Sequence, residues 1–456
     1  MSWLAVVLSV SGQEYQQLPV DETVGGGQAA LFGTLNSGGG DAAQIETFLK
    51  SYYLARWTVP DNYRQLHSFR SELLDAGLAM SSAGRTAFYG AAMVQLSEMA
   101  KNTSMAPAVR YNAVLTMAMM DESNSGDRPV PYGGAVPALV DLASAAANQP
   151  DYIVLGALIG LARQAALGIP DEGNRKAAVD LFLETLEPSY ASKRHFDPDI
   201  AVWLQCRAVE GLSAFKSVSG YGEGTRILDT LRRLIEEPKT DLTILNEALR
   251  GLGEINLAEA ADYDFAPLAR SLAKCYRVLM EKEVRYIEIE SLRGQIGTGS
   301  AMSMNSMGGM GGMGTAPRAS GGAARPGESG NQDTSQVELV ISEIVYGTDS
   351  LSAAMTGSDG KSGVAAVLKE DDAESKALFD DVLARIEKMK TYLTYGEDSL
   401  KDDFDPKSLR PSASTGGGTL FKVEVPGIKD YLEEQIQSFQ DASSAWEESE
   451  TSSGRP

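Results

Sequence analysis

The chain has 456 residues, 43% of them hydrophobic, and 62 Asp plus Glu against 40 Lys plus Arg give it a formal net charge of −22. That charge repels phosphate backbones and anionic lipid, which argues against nucleic acid or a membrane surface as the partner. The only cysteines, Cys206 and Cys275, and the only histidines, His67 and His195, form no cluster in the sequence, which excludes a zinc site, a disulfide-rich scaffold and a multi-histidine metal centre. The two cysteines could pair if the fold brings them together, although buried thiols are favoured.

Residues 1–12 resemble the end of a secretory signal peptide. An apolar run covers residues 3–10, and Ser9, Ser11 and Gly12 supply small residues for cleavage. No Lys or Arg precedes the run, and a short buried strand is the alternative. We expect an exported protein, periplasmic or extracellular, or a cytoplasmic one if this segment is not a signal. No other stretch reaches the roughly 18 consecutive apolar residues of a membrane span, so the mature chain is not expected to insert into a membrane.

Residues 13–40 contain two glycine triplets, 25–27 and 38–40, and few charges. A phosphate-binding loop needs a preceding strand and, in the Walker form, a following Lys-Ser/Thr pair, and neither triplet has them. The sequence predicts a flexible leader here.

From residue 41 to residue 293 the apolar residues recur at helical spacing, and Gly or Pro clusters divide the stretch into helix-length segments. Four segments align with one another when Met117, Leu161, Leu212 and Leu252 are placed in register, with offsets of 44, 51 and 40 residues. Another predicted helix precedes each aligned one, at 87–100, 136–147, 175–186 and 225–235. One such pair cannot bury its apolar face alone, so several must stack.

The second helix of these pairs carries a recognisable motif. Pro107-Ala108-Val109-Arg110 with Ala113, and the run from Ala248 to Ile255 (ALRGLGEI), are similar to the second helix of a HEAT repeat, whose pattern is Asp-Pro-x-Val-Arg, then small residues, then Leu-Gly. The segments at 150 and 198 keep the Pro-Asp start but lack the Val-Arg step. The resemblance covers about half the chain. It implies an exported bacterial HEAT/armadillo-like protein with an all-α, α-α superhelical solenoid at 41–293, in which Arg110 has a structural role. An irregular helical bundle is the alternative.

Residues 41–104 are rich in aromatic side chains. Terminal units of a solenoid cover the open end of its core, so a capping role is expected, and an aromatic binding patch is the alternative. The residues are Tyr52, Tyr53, Trp57, Tyr63, Phe69, Phe88 and Tyr89.

Residues 294–335 change to a Gly- and Met-rich composition that cannot bury a core, which predicts a disordered linker. The thioether groups of its methionines could bind Cu(I), but the low complexity of the segment accounts for them without a metal. Residues 336–456 are acidic and are predicted to be mostly helical or partly disordered, with helices at 336–346, 372–395 and 427–442 and a short strand at 421–425.

Two fragments in the acidic region resemble ligand sites. Gly360-Lys361-Ser362 matches the end of a P-loop, but Met355 stands where the motif requires a glycine. The acidic runs 370–374 and 402–405 lack the glycine and the terminal Glu of an EF-hand, so solvated charge is the preferred interpretation. No Ser/His/Asp or Cys/His arrangement is apparent around His67 or His195.

The sequence therefore predicts a non-catalytic protein-binding or scaffold protein, with no catalytic, cofactor-binding or metal-binding residue and no cofactor. Its partner would be a protein or an extracellular polymer. Two alternatives remain open. One is an enzyme with an unrecognised site in the solenoid groove, since some HEAT-like proteins act as lyases or hydroxylases. In the other, the solenoid is a spacer for a functional C-terminal module.

Overall fold

A computed structural model describes residues 14–124, 128–144, 148–194, 196–296, 330–369, 372–396, 399 and 425–452. Nearly all regular structure in these ranges is helical, which confirms the all-α prediction. The chain divides into two compact units, Met1–Tyr263 and Asp264–Pro456. None of the helices in the described ranges combines the length and the apolar character that crossing a membrane requires.

The region predicted as a flexible leader is folded from residue 14 onward, so that prediction was wrong. Helices α1 (Glu22–Gly26) and α2 (Gln28–Asn36) form here, and the Asp21 carboxylate caps α1 by accepting from two backbone N–H groups. Leu31 and Leu35 of α2 are buried. Glycine lowers helix propensity, but the burial of these two leucines outweighs it. Residues 1–12, the predicted signal peptide, lie outside the described ranges.

The first unit continues through short and long helices. In chain order these are α3 (Ala42–Phe48), a π-helix (Leu49–Tyr53), 3₁₀ turns (Ala55–Thr58 and Pro60–Gln65), α4 (Leu66–Ala79), α5 (Ser82–Lys101), α6 (Pro107–Ala118), a small hairpin of β1 (Asp121–Ser123) and β2 (Val130–Pro131), α7 (Ala135–Ala143), α8 (Asp151–Leu167), α9 (Glu172–Thr185), α10 (Pro188–Arg194), α11 (Pro198–Ala214), α12 (Arg226–Glu236), α13 (Leu242–Leu252) and a 3₁₀ turn (Leu257–Ala260).

Helices α5 to α13 form a helix-pair array, in which the pairs are α5/α6, α7/α8, α9/α11 and α12/α13. The second helices pack in series, α6 on α8, α8 on α11 and α11 on α13, and the first helices α5, α7 and α9 do the same. Both helices of every predicted pair are present within a few residues of the predicted bounds, except that residues 145–147 of the predicted helix 136–147 lie outside the described ranges. The caps match the sequence signals as well, since Asp197 and Asp241 each accept a backbone N–H of the helix that they start.

Small residues allow the second helices to approach closely. A Cβ atom at Gly160 of α8 would lie 2.5 Å from the Cβ of Ala118 at the end of α6. A Cβ at Gly251 of α13 would lie 2.1 Å from the Ser213 hydroxyl of α11. Neither distance is compatible with van der Waals contact, so a side chain at Gly160 would force the helices apart, and one at Gly251 would force the Ser213 hydroxyl to rotate away.

Polar ties connect each pair to the next at a nearly constant separation in sequence. The Nη2 atom of Arg163 on α8 donates to both oxygens of the buried Asp121 carboxylate, 42 residues earlier, at 2.7 and 2.9 Å. The Tyr190 hydroxyl donates to the Ala143 carbonyl, 47 residues earlier, at 2.7 Å. Further hydrogen bonds that link successive pairs or the turns beside them span 39 to 46 residues. This spacing corresponds to the period read from the sequence.

The second unit contains helices α14 (Ala266–Ile296), α15 (Gly330–Thr356), α16 (Val364–Val367), α17 (Ala373–Tyr395) and α18 (Val425–Ser452). Helix α14 packs against α15, α17 and α18. For that reason the first unit ends at Tyr263, earlier than the boundary predicted at residue 293. The predicted C-terminal helices are confirmed. Of the predicted linker 294–335, residues 297–329 lie outside the described ranges, whereas 294–296 and 330–335 belong to α14 and α15. The predicted strand also lies outside them except for Val425, which begins α18.

Candidate functional site

A row of apolar residues stays partly exposed on two second helices of the helix-pair array. It consists of Leu115 on α6, Met119 directly after α6, and Leu155 and Ile159 on α8. Met119 is 42% exposed and Ile159 is 37% exposed, while the two leucines are half-buried. Residues four apart lie on one face of a helix, so each helix presents two of these side chains together. The four residues are named the apolar row below.

The corresponding surface of the later second helices is charged. On α11, Arg207 pairs with Glu210 at 2.5 Å. On α13, Arg250 pairs with both Glu247 and Glu254, at 2.7 and 2.8 Å. These side chains are partly exposed, so the pairs contribute little to stability. With two arginines against three glutamates, these pairs carry a net charge of −1.

Arg110, which matches the HEAT arginine, holds the array together. Its guanidinium donates to the Ala100 carbonyl at 2.9 Å, to the Tyr152 hydroxyl at 3.0 Å and to the Gln149 side chain at 2.7 Å. The side chain is 4% exposed. All three partners belong to the same or the next helix pair, so the geometry supports the structural role that the resemblance implies.

An extended segment, residues 14–21, lies across the N-terminal end of the array and is named the N-terminal strap. The Gln16 amide donates to the Ser104 carbonyl, the Leu18 amide to the Thr58 hydroxyl and the Asp21 amide to the Ser51 carbonyl, each at 2.8 Å. The strap contains no helix or strand of its own. Beside it, an open surface depression of about 570 Å³ lies between residues 18–23 and residues 50–51 of the π-helix.

Comparisons with known proteins leave the function open. No family model, no curated protein and no solved structure matches the chain. The HEAT resemblance therefore rests on the motif residues, and a functional proposal has to come from the surfaces and buried groups of this chain.

The cysteines and His67 have surroundings that do not activate them. Cys206 is a buried thiol whose pKa burial raises to about 12, with nearby acidic side chains such as Glu247 adding to the effect, so a thiolate is strongly disfavoured. His67 is exposed, and its Nε2 lies 3.3 Å from the hydroxyl of the adjacent Ser68. His195 lies outside the described ranges. Cys275 belongs to the other unit and is also buried.

The Gly-Lys-Ser fragment forms a loop whose N–H groups are already occupied. The Asp359 carboxylate accepts from the Lys361 and Ser362 amides at 2.8 and 2.9 Å and from the Ser362 hydroxyl at 2.8 Å. These bonds hold the pKa of Asp359 below its ordinary value, with the bond from the Ser362 hydroxyl as the largest cause. A carboxylate thus takes the position that a phosphate would need, and the fragment is a self-capped loop before the short helix α16.

The aromatic residues of the first helices are mainly core residues. Five of the seven are buried, and Tyr52 and Tyr63 are half-buried. The guanidinium of Arg56 lies 4.5 Å from the centre of the Phe69 ring and 5.4 Å from that of Tyr52. This arrangement supports the capping interpretation over the binding patch, because the rings face the core and the chain's own arginine.

The acidic runs give no ligand site that the structure describes. In the described ranges, no three His, Cys, Asp or Glu side chains come together as metal ligands. Residues 370–371 and the run 402–405 lie outside those ranges, as do the methionines of the linker.

One buried carboxyl group in the second unit was missed by the sequence interpretation. Glu283 of α14 is 4% exposed, and its Oε2 has no hydrogen-bond partner in the described part of the chain. Burial raises its pKa to about 8, and the neighbouring Glu343 of α15 adds to this shift. The sequence did contain a signal, since Glu283 stands between the buried Met280 and Ile287 on the apolar stripe of the helix.

Proposed function

We propose that this chain is a non-catalytic protein-binding scaffold and that its first unit is a HEAT-like superhelical solenoid. Three observations support the architecture: paired helices at the predicted positions, second helices packed in series, and polar ties that recur every 39 to 47 residues. Such arrays act by presenting an extended surface on which several repeats contact one partner.

The apolar row is the observation that carries the binding role. Single exposed apolar residues are ordinary, but this row places two exposed and two half-buried apolar residues on two adjacent helices of the array. Grouped exposed apolar side chains mark interaction sites. The partner would be a protein or an extracellular polymer with a complementary apolar patch, and the net charge of −22 favours a neutral or basic one.

Export from the cell is part of this proposal. It rests on the apolar run at 3–10 and the small residues that follow. Cleavage near Gly12 would make the N-terminal strap the start of the mature chain. N-terminal sequencing of the mature protein tests this directly, and an intact Met1 would contradict it.

A matched pair of surface variants tests the binding role. Met119→Asp combined with Ile159→Asp places two charges in the apolar row, whereas Val94→Asp places one on α5, where Val94 is 55% exposed. The full chain is crosslinked to proteins of the envelope fraction, and its partners are identified by mass spectrometry. The row variant should no longer capture the main partner of the wild type, and the Val94→Asp variant should still capture it. Equal capture by both folded variants would refute the role of the row.

One observation favours the alternative hypothesis that the second unit is the functional module. Ionisable groups with strongly shifted pKa values concentrate at functional sites, and Glu283 is such a group. If this unit carries the function, Glu283→Leu, which removes the carboxyl group altogether, should abolish partner capture by the full chain while the row variant keeps it.

A further inference from the structure

We propose that the N-terminal strap is a displaceable occupant of a peptide-binding track, and that the track accepts an extended peptide of a partner protein with tyrosine and leucine three residues apart. The proposal concerns the turns at the N-terminal end of the array. It uses none of the residues of the apolar row, so it does not depend on the function proposed above.

The strap is bound as a peptide ligand would be. Its main-chain amides at Gln16, Leu18 and Asp21 all donate to groups on other elements, and the Gln16 side-chain carbonyl accepts from the Asn102 amide at 2.9 Å. Proteins that bind extended peptides obtain affinity from such main-chain bonds and specificity from apolar side chains at fixed spacing. Main-chain bonds do not depend on sequence, so another extended segment can form the same ones.

The acceptor groups of the track are oriented by bonds within the surrounding fold. Thr58 is 1% exposed, and its hydroxyl donates to the Ala55 carbonyl at 2.8 Å, which orients its oxygen to accept the Leu18 amide. The Ser51 carbonyl belongs to the π-helix Leu49–Tyr53, a widened form of helix that is frequent at functional sites.

Half-buried and exposed side chains are interspersed along the strap. Tyr15, Leu18 and Val20 are half-buried, and the other five strap residues are exposed. Burial raises the pKa of Tyr63, and the Tyr15 phenol adds to this shift. Tyr15 and Leu18 are therefore the anchors that define the expected ligand. Because neither is fully buried, release of the strap exposes little apolar surface.

A trans-binding experiment with the full chain tests the proposal. The probe is a fluorescently labelled peptide with the sequence of residues 14–23. Tyr15→Ser with Leu18→Ser removes the anchors of the resident strap, and Glu14→Ser with Gln17→Ser changes two exposed strap residues as the matched control. Fluorescence anisotropy should show binding to the anchor variant about tenfold tighter than to the wild type or the control, because the resident strap no longer competes.

Adding Thr58→Val to the anchor variant should weaken the peptide by about fivefold, the effect of one lost hydrogen bond. Equal affinity for a folded anchor variant and the wild type would overturn the proposal, and so would a wild-type dimer formed by exchange of straps. Hydrogen exchange on the wild type gives a second test that needs no variant. The Gln16 and Leu18 amides should exchange at least about a hundredfold faster than buried amides of α5, and equal protection would show a fixed structural element.

Discussion

Replacing Glu283 by glutamine should stabilise the second unit, and the gain should grow with pH. The pKa of this carboxyl group rises on folding from 4.5 to about 8, mainly because burial disfavours its charged form. Between these two pH values the folded chain retains a proton that the unfolded chain has lost. Stability therefore falls as pH increases through this window.

The size of the effect follows from the same shift. One pKa unit corresponds to roughly 1.4 kcal/mol, so the full range from 4.5 to about 8 sets an upper limit of roughly 5 kcal/mol. Glutamine has nearly the same shape as a protonated glutamate and does not ionise. We expect Glu283→Gln to match the wild type near pH 4.5 and to exceed it by roughly 2 to 4 kcal/mol near pH 7.5.

Urea unfolding read by pulsed hydrogen exchange and mass spectrometry can follow each unit separately. Peptides from α14 report the second unit, and peptides from α6 report the first unit, which should not change. Glu387→Gln is the matched control because its side chain is 75% exposed. The reasoning fails if the α14 transition of Glu283→Gln is unchanged at pH 7.5, or if its gain is the same at both pH values.

Three further predictions concern the first unit. Arg110→Met should lower the free energy of unfolding of this unit by roughly 3 kcal/mol, because the buried Ala100 carbonyl and the part-buried Tyr152 and Gln149 acceptors lose their donor. Urea unfolding measures this, and a loss under about 1 kcal/mol would contradict the structural role. Gly84→Ala should be strongly destabilising, since its Cβ would lie 2.1 Å from the backbone oxygen of Leu35. Gly33→Ala in α2, with open space around it, should raise the free energy of unfolding by roughly 0.5 to 1 kcal/mol. Thermal melts of the two variants test whether α2 docks as described, and equal melting temperatures would contradict it. Cys206 should resist alkylation by iodoacetamide in the native chain and react once urea unfolds it, because its thiol is buried with a pKa of about 12. Mass spectrometry measures the labelling, and rapid labelling of the native chain would refute this prediction.

The helices of the array could be predicted because their signals are local. Apolar spacing located each helix, and the Asp-Pro and Thr-Asp steps at Asp197 and Asp241 marked where two of them start. The role of Arg110 also followed from its motif. These features depend on residues close together in sequence, which a single chain displays directly.

The features that escaped prediction depend on contacts far away in sequence. The leader seemed flexible because its glycines dominate locally, yet Leu31 and Leu35 are buried in the folded unit. The strap has no local pattern at all, since Gln16 bonds to residues more than 80 positions away. The boundary at Tyr263 was missed because the apolar stripe of α14 would suit either set of neighbours.

The nearly constant span of the polar ties has a mechanical consequence. Ties such as Arg163 to Asp121 and Tyr190 to Ala143 reach only from one helix pair to the next. A pulling force on the two ends of this unit therefore meets the ties one after another and never all at once. We expect the unit to lengthen stepwise, releasing about one pair at each step, and to recoil in the reverse order when the load is removed.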